Sequence, residues 1–173
     1  MPSCLQNIAT GYGHEGDDVR SFQTPDTLID ICPGDFLAAA TVASCRQAAL
    51  ISATTWDSDL LTTQKAGKVL FEGVSLFELD TDTCVDAPTC IPYANYVPYS
   101  KFRRAYGIVD TDGADATTTW VRGQGFTFGK DPDSNLLVDN KIQTTSDADA
   151  IVFRAVSDSC GETLGVVVVE FAE

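Results

Sequence analysis

Apolar positions along this chain fall into short runs rich in Val, Ile, Leu and Phe. In the C-terminal half, clusters of Gly, Asp, Asn and Ser interrupt them about every dozen residues. Trp120 to Gly129, Leu136-Leu137-Val138, Ala150 to Phe153 and Gly165 to Phe171 read as successive strands of a compact antiparallel β-domain. Upstream, Thr27 to Cys32 reads as a strand ending in the turn Pro33-Gly34-Asp35, and Ala48 to Ile51 as a weaker one. Val69 to Phe77 is a strand pair or one bent strand, with Gly73 marking a bulge or close packing. Tyr106 to Asp110 resumes the strand series. One short helix is expected from Asp59 to Ala66. Asp57 or Ser58 would cap its first N–H groups, and Gly67 would end it.

Two segments break the pattern. Residues 1–24 hold Gly11, Gly13 and Gly16 without periodicity and read as an extended N-terminal arm, leaving 25–173 as the folded domain. Residues 80–105 are a surface insertion, acidic at Asp80, Asp82 and Asp86 and then rich in Pro and Tyr. Proline removes ladder donors, so this stretch reads as a loop rather than a core strand. Its tyrosines Tyr93, Tyr96 and Tyr99 are candidate partner contacts. So are Lys101, Phe102, Arg103 and Arg104, where three of the eleven basic residues are concentrated.

Charge narrows the functions. The chain of 173 residues carries a net charge of −14. Nucleic-acid affinity depends on cations that displace counterions from phosphates, and anionic membranes attract the same cations. Neither partner is expected. No apolar run approaches the ~18 residues of a membrane helix, and Met1 to Gln6 lacks the basic and apolar start of a secretory signal. Synthesis in a cytoplasm follows as the expectation. The six cysteines are then expected to be mostly free buried thiols, with Cys84 and Cys90 the best candidate pair.

Several motifs lack the context their chemistry needs. Gly11-Tyr12-Gly13-His14-Glu15-Gly16 has neither a strand before it nor a helix after it to hold a pyrophosphate. Arg122-Gly123-Gln124-Gly125-Phe126 approaches an RNA-binding strand, but Gln124 replaces a stacking aromatic. Asp131-Pro132-Asp133-Ser134-Asn135 opens like a calcium loop, yet Leu136 stands where the turn glycine belongs and Ile142 where the bidentate Glu belongs. The single histidine, His14, is poorly placed for a nucleophile relay. No catalytic set, cofactor or metal is expected.

Three blocks, taken in order, resemble the capsid decoration, or cement, proteins of tailed bacteriophages. These are Ile29 to Phe36, with its Gly-Asp turn, and Thr55 to Gln64 leading into Leu70-Phe71-Glu72-Gly73-Val74-Ser75-Leu76. The third is Trp120 to Phe128 with the runs Ile151 to Val156 and Leu164 to Glu170. The resemblance implies an all-β barrel or sandwich, usually a homotrimer, on the outer surface of the virion head. There it would bridge major capsid protein subunits. A tail or receptor-binding fibre β-domain, or a β-barrel enzyme, are the alternatives.

Overall fold

The computed structural model describes residues 20–23, 30–32, 34–42, 45–53, 59–75, 79–80, 93–98, 105–109, 119–131, 134, 136–159 and 165–172. Among the described residues the fold is all-β with one α-helix. In chain order the strands are β1 (Arg20–Gln23), β2 (Asp30–Ile31), β3 (Phe36–Val42) and β4 (Cys45–Leu50), followed by helix α1 (Leu60–Leu70). Then come β5 (Phe71–Ser75), β6 (Leu79–Asp80), β7 (Tyr93–Pro98), β8 (Ala105–Val109), β9 (Gly125–Lys130), β10 (Leu137–Thr144), β11 (Phe153–Ala155) and β12 (Val166–Phe171).

They form a five-stranded antiparallel sheet in the order β1-β7-β5-β3-β4, a closed barrel in the order β10-β8-β12-β11-β9, and a two-stranded β2-β6 ladder. Closure pairs every barrel strand on both sides, so the barrel has no open edge. One pairing departs from the expected antiparallel pattern. Lys141 and Ile142 of β10 run parallel to Ile108 and Val109 of β8. A parallel pair needs a crossover between its strands, and here β9 makes it before pairing with the other side of β10.

Helix α1 differs from expectation at both ends. Asp59 is the cap, its carboxylate accepting from Thr62 N–H at 2.9 Å and from Thr62 Oγ1–H at 2.7 Å. The helix does not stop at Gly67 but continues to Leu70 and passes directly into β5. Gly67 is there for proximity. A Cβ at that position would lie 2.9 Å from Leu137 Cδ1 and 3.2 Å from the Phe128 ring. One turn earlier, Gln64 Nε2–H donates to Phe128 O at 3.0 Å, fixing the helix on β9. Of the two readings of Gly73, a bulge or close packing, a bulge lies beside it: Leu37 faces Gly73 and Ala38 faces Phe71, leaving Glu72 unopposed.

The proline-rich insertion requires a larger correction. Residues 93–98 form β7, bonded to β1 on one side and β5 on the other. Its proline, Pro98, closes the strand, where a missing donor costs least. The last residues of the supposed arm, Arg20–Gln23, are β1 and pair in register with Tyr96–Tyr93. The strand read from Trp120 begins only at Gly125, because Val121–Gln124 closes a turn around Gly123 at φ +84°.

Sheet and barrel share one core. Phe36 and Phe71 from the sheet meet Phe128 and Phe153 from the barrel, and all six ring pairs have centroids 5.3–6.1 Å apart. Phe171 stacks on Phe71 at 6.3 Å. Such offset and edge-on contacts stabilise the packing beyond the area they bury.

Candidate functional site

The residues first singled out for partner contact are only partly placed. Tyr93 and Tyr96 lie on β7, where Tyr96 pairs with Arg20 and with Ser75, so their backbones belong to the sheet rather than to a free loop. Tyr99, Lys101, Phe102, Arg103 and Arg104 lie outside the described residues, as do His14, the Gly11 to Gly16 motif and the Cys84–Cys90 pair. Cys32 is disulfide-bonded, which corrects the free thiol expected there. Among the described residues no helix is long and apolar enough to cross a membrane, and no three metal-ligating side chains converge.

Two other places carry organised polar groups. The first is the turn leading into β9. Gln124 N–H closes it on Val121 O at 3.0 Å, and the Gln124 side chain accepts from Val121 N–H at 3.0 Å. Arg122 N–H donates to Asp158 Oδ1 at 2.6 Å, Gly123 N–H to Ala155 O at 2.8 Å, and Arg154 Nη1–H to Gly123 O at 3.1 Å. The main chain is therefore fixed while the side chains point outward. Val121 is 62% exposed, and Arg122 and Arg154 are exposed beside it. The result is a rigid apolar and cationic point on an acidic protein.

The second is a pair of carboxyls, the half-buried Asp139 of the barrel and the buried Asp35 beside the sheet. The 3-10 turn Ile51–Ala53 follows β4 and carries Ser52 to β10, where Ser52 N–H and Oγ–H donate to the two oxygens of Asp139 at 2.8 and 2.7 Å. Asp35, at the entry to β3, accepts from Cys32 N–H at 2.7 Å and is only 5% exposed. Burial pushes the Asp35 carboxyl up to about 7, against the lowering effect of the Cys32 bond, and the charge of Asp139 raises it further. Burial also raises Asp139, against the two bonds from Ser52. Chemically Asp35 can hold a proton near neutrality. A Ser–carboxylate contact alone does not make a nucleophile relay, which needs an imidazole between the two groups.

No protein-family model matches the sequence, and no curated protein matches it. Function therefore rests on the residues themselves.

Neither place stands out in the sequence as a contact or acidic site, although Arg122 to Phe126 is weighed there as an RNA-binding strand. Asp35 passed as an ordinary turn residue, and Asp139 is one acid among the chain's 25 acidic residues. Asp139 ends the apolar run Leu136-Leu137-Val138 and is followed by Asn140 and Lys141, so nothing local marks it. The exposed turn was hidden because Trp120 to Gly129 reads as one continuous strand.

Proposed function

We propose that this chain is a capsid cement protein of a tailed bacteriophage. It binds the outer surface of the head and bridges neighbouring major capsid protein subunits, acting as a homotrimer and without turnover. One observation carries the reading: the three blocks on which the resemblance rests supply the four rings of one core. Phe36 comes from the first, Phe71 from the second, and Phe128 and Phe153 from the third. Blocks that are separately degenerate thus act as a single packing unit, as a shared fold requires. The acidic net charge suits a protein displayed at high copy number, where like charge keeps particles apart. The rigid Val121–Arg122 turn offers a contact that needs little ordering on binding. A trimer engaging several subunits at once multiplies modest affinities through effective concentration.

Purified protein added to undecorated heads tests this. Binding should raise the resistance of the heads to heat and to osmotic shock. Heads that bind none of it would overturn the reading, and a copy number of only a few per virion would transfer the protein to a tail fibre.

A further inference from the structure

The last strand carries more apolar residues than one buried face explains. Val166-Val167-Val168-Val169 is an unbroken run, whereas a strand with one face on the core and one in water alternates apolar with polar residues. Val167 and Val169 are buried in the core. By the two-residue period of a strand, Val166, Val168 and Glu170 take the opposite face of β12. There Val166 is 45% exposed, and Val168 is only half-buried. The neighbouring strands extend the patch, because directly opposed residues share a face. On β8, the half-buried Ile108 stands opposite Val166. On β11, Arg154 stands opposite Glu170, and just beyond it the half-buried Val156 donates its N–H to Val168 O at 2.9 Å.

Closure of the barrel pairs β12 on both edges, so a partner cannot add a strand there and must lie on the face. Charge selects the partner. Arg154 and Glu170 are both exposed, one cation and one anion, so the patch is locally neutral on a chain of net charge −14. Arg154 Nη1–H donates to Gly123 O at 3.1 Å rather than to Glu170, and no ion pair among the described residues holds either side chain. A polyanion would meet Glu170 and the field of the whole chain, and a basic partner would meet Arg154. A second copy of this chain brings the opposite charge to each, and valines to the valines.

We propose that the outer face of β8, β12 and β11, centred on Val166 and Val168, is the contact between copies of this chain, with Arg154 of one copy against Glu170 of the next. This rests on the oligomer of the reading above, though not on the shell it would bind. Around a threefold axis the contact runs head to tail, so a cation and an anion standing side by side meet their opposites on the two neighbours. Burial of the valines supplies the attraction, and the charges fix the register. The Val121–Gln124 turn, tied to Arg154 through Gly123 O, then stands at the rim of the contact in the same orientation on every copy.

Sedimentation equilibrium of the full chain, with head binding measured alongside, tests this. The wild type should be a trimer. Val166→Glu and Val166→Lys should each raise its dissociation constant about a hundredfold, the second even though it lessens the net charge. Circular dichroism should be unchanged in both, since Val166 faces water in the single copy. Arg154→Glu and Glu170→Arg should each weaken the contact about tenfold, and the double exchange should restore it. A monomeric wild type overturns the proposal, whether or not it binds heads. So does a dissociation constant that neither Val166 change moves. A wild-type trimer that Val166→Lys separates, but that binds no heads, upholds this contact and overturns the shell reading alone.

Discussion

The parallel closure of the barrel can be tested at a single contact. Gly107 on β8 is buried under Ile142 of β10. A Cβ there would overlap Ile142 Cδ1 outright, reach its Cγ1 at 3.0 Å, and touch Val167 Cγ1 at 3.4 Å. Ile142 is fully buried, so it has little room to rotate away. Gly107→Ala should therefore cost about 1–3 kcal/mol as an overpacking change. Ile142→Val, which deletes the overlapping methyl, should cost about 0.5–1.5 kcal/mol by itself. Combined, the two should cost scarcely more than Ile142→Val alone, a coupling of about 1–2 kcal/mol. That exceeds the ~0.5 kcal/mol scatter of independent sites. Urea unfolding reads it directly: with a slope of about 2 kcal/mol/M, each kcal/mol moves the midpoint by about 0.5 M. The closure would be refuted if the two changes add, or if Gly107→Ala is neutral.

The Thr127 hydroxyl is fully buried with no hydrogen-bond partner among the described residues, so Thr127→Val, of similar shape, should raise stability by about 1–2 kcal/mol in the same assay; a loss would mean that the hydroxyl is satisfied in solution. At the helix cap, Asp59→Ala should lower the urea midpoint while Asp59→Ser or Asp59→Asn largely retains it, since each keeps an acceptor for Thr62 N–H. The bonds from Thr62 hold the Asp59 carboxyl below its usual 3.8, so the cap's contribution is intact above that pH and fades as pH falls through the depressed value, and circular dichroism of Asp59→Ala should lose this acid dependence.

What could be read from the sequence was what local pattern encodes. Alternating apolar runs located β8, β9, β10 and β12, because side chains alternate across a strand whatever its neighbour. The direction of that neighbour leaves no local trace, so the parallel β8–β10 pair was invisible. Gly67 was misread because its usual reason for ending a helix, an easy left-handed conformation, competes with a second use: leaving space beneath Leu137 and Phe128. Composition misled most at β7. Pro88 and Pro92 suggested a loop, yet the six residues that follow Pro92 pair on both sides with strands distant in sequence. The buried carboxyl was illegible for a related reason. Asp35 is unremarkable in the sequence and becomes unusual only when folding buries it.

Under the proposed function, these corrections change where a partner contact belongs. An arm or a tyrosine-rich loop that orders on docking would spend part of its binding free energy on fixing backbone and side chains. But Arg20–Gln23 and Tyr93–Tyr96 are already paired to each other, so for these residues that ordering precedes any partner. The turn from Val121 to Gln124 is fixed in the same sense, by bonds from Arg122, Gly123 and Arg154 to atoms distant in sequence. It also stands on β9, next to the strand that carries Phe153, so a load applied at the turn passes into the ring cluster shared by barrel and sheet. Replacing the exposed side chains of Val121 and Arg122 should consequently weaken attachment to a shell without unfolding the protein. Removing Phe71 or Phe128 should instead destabilise the fold itself, and attachment should be lost only along with it. A protein whose task is to resist deformation needs that separation between the groups that grip and the groups that hold its shape.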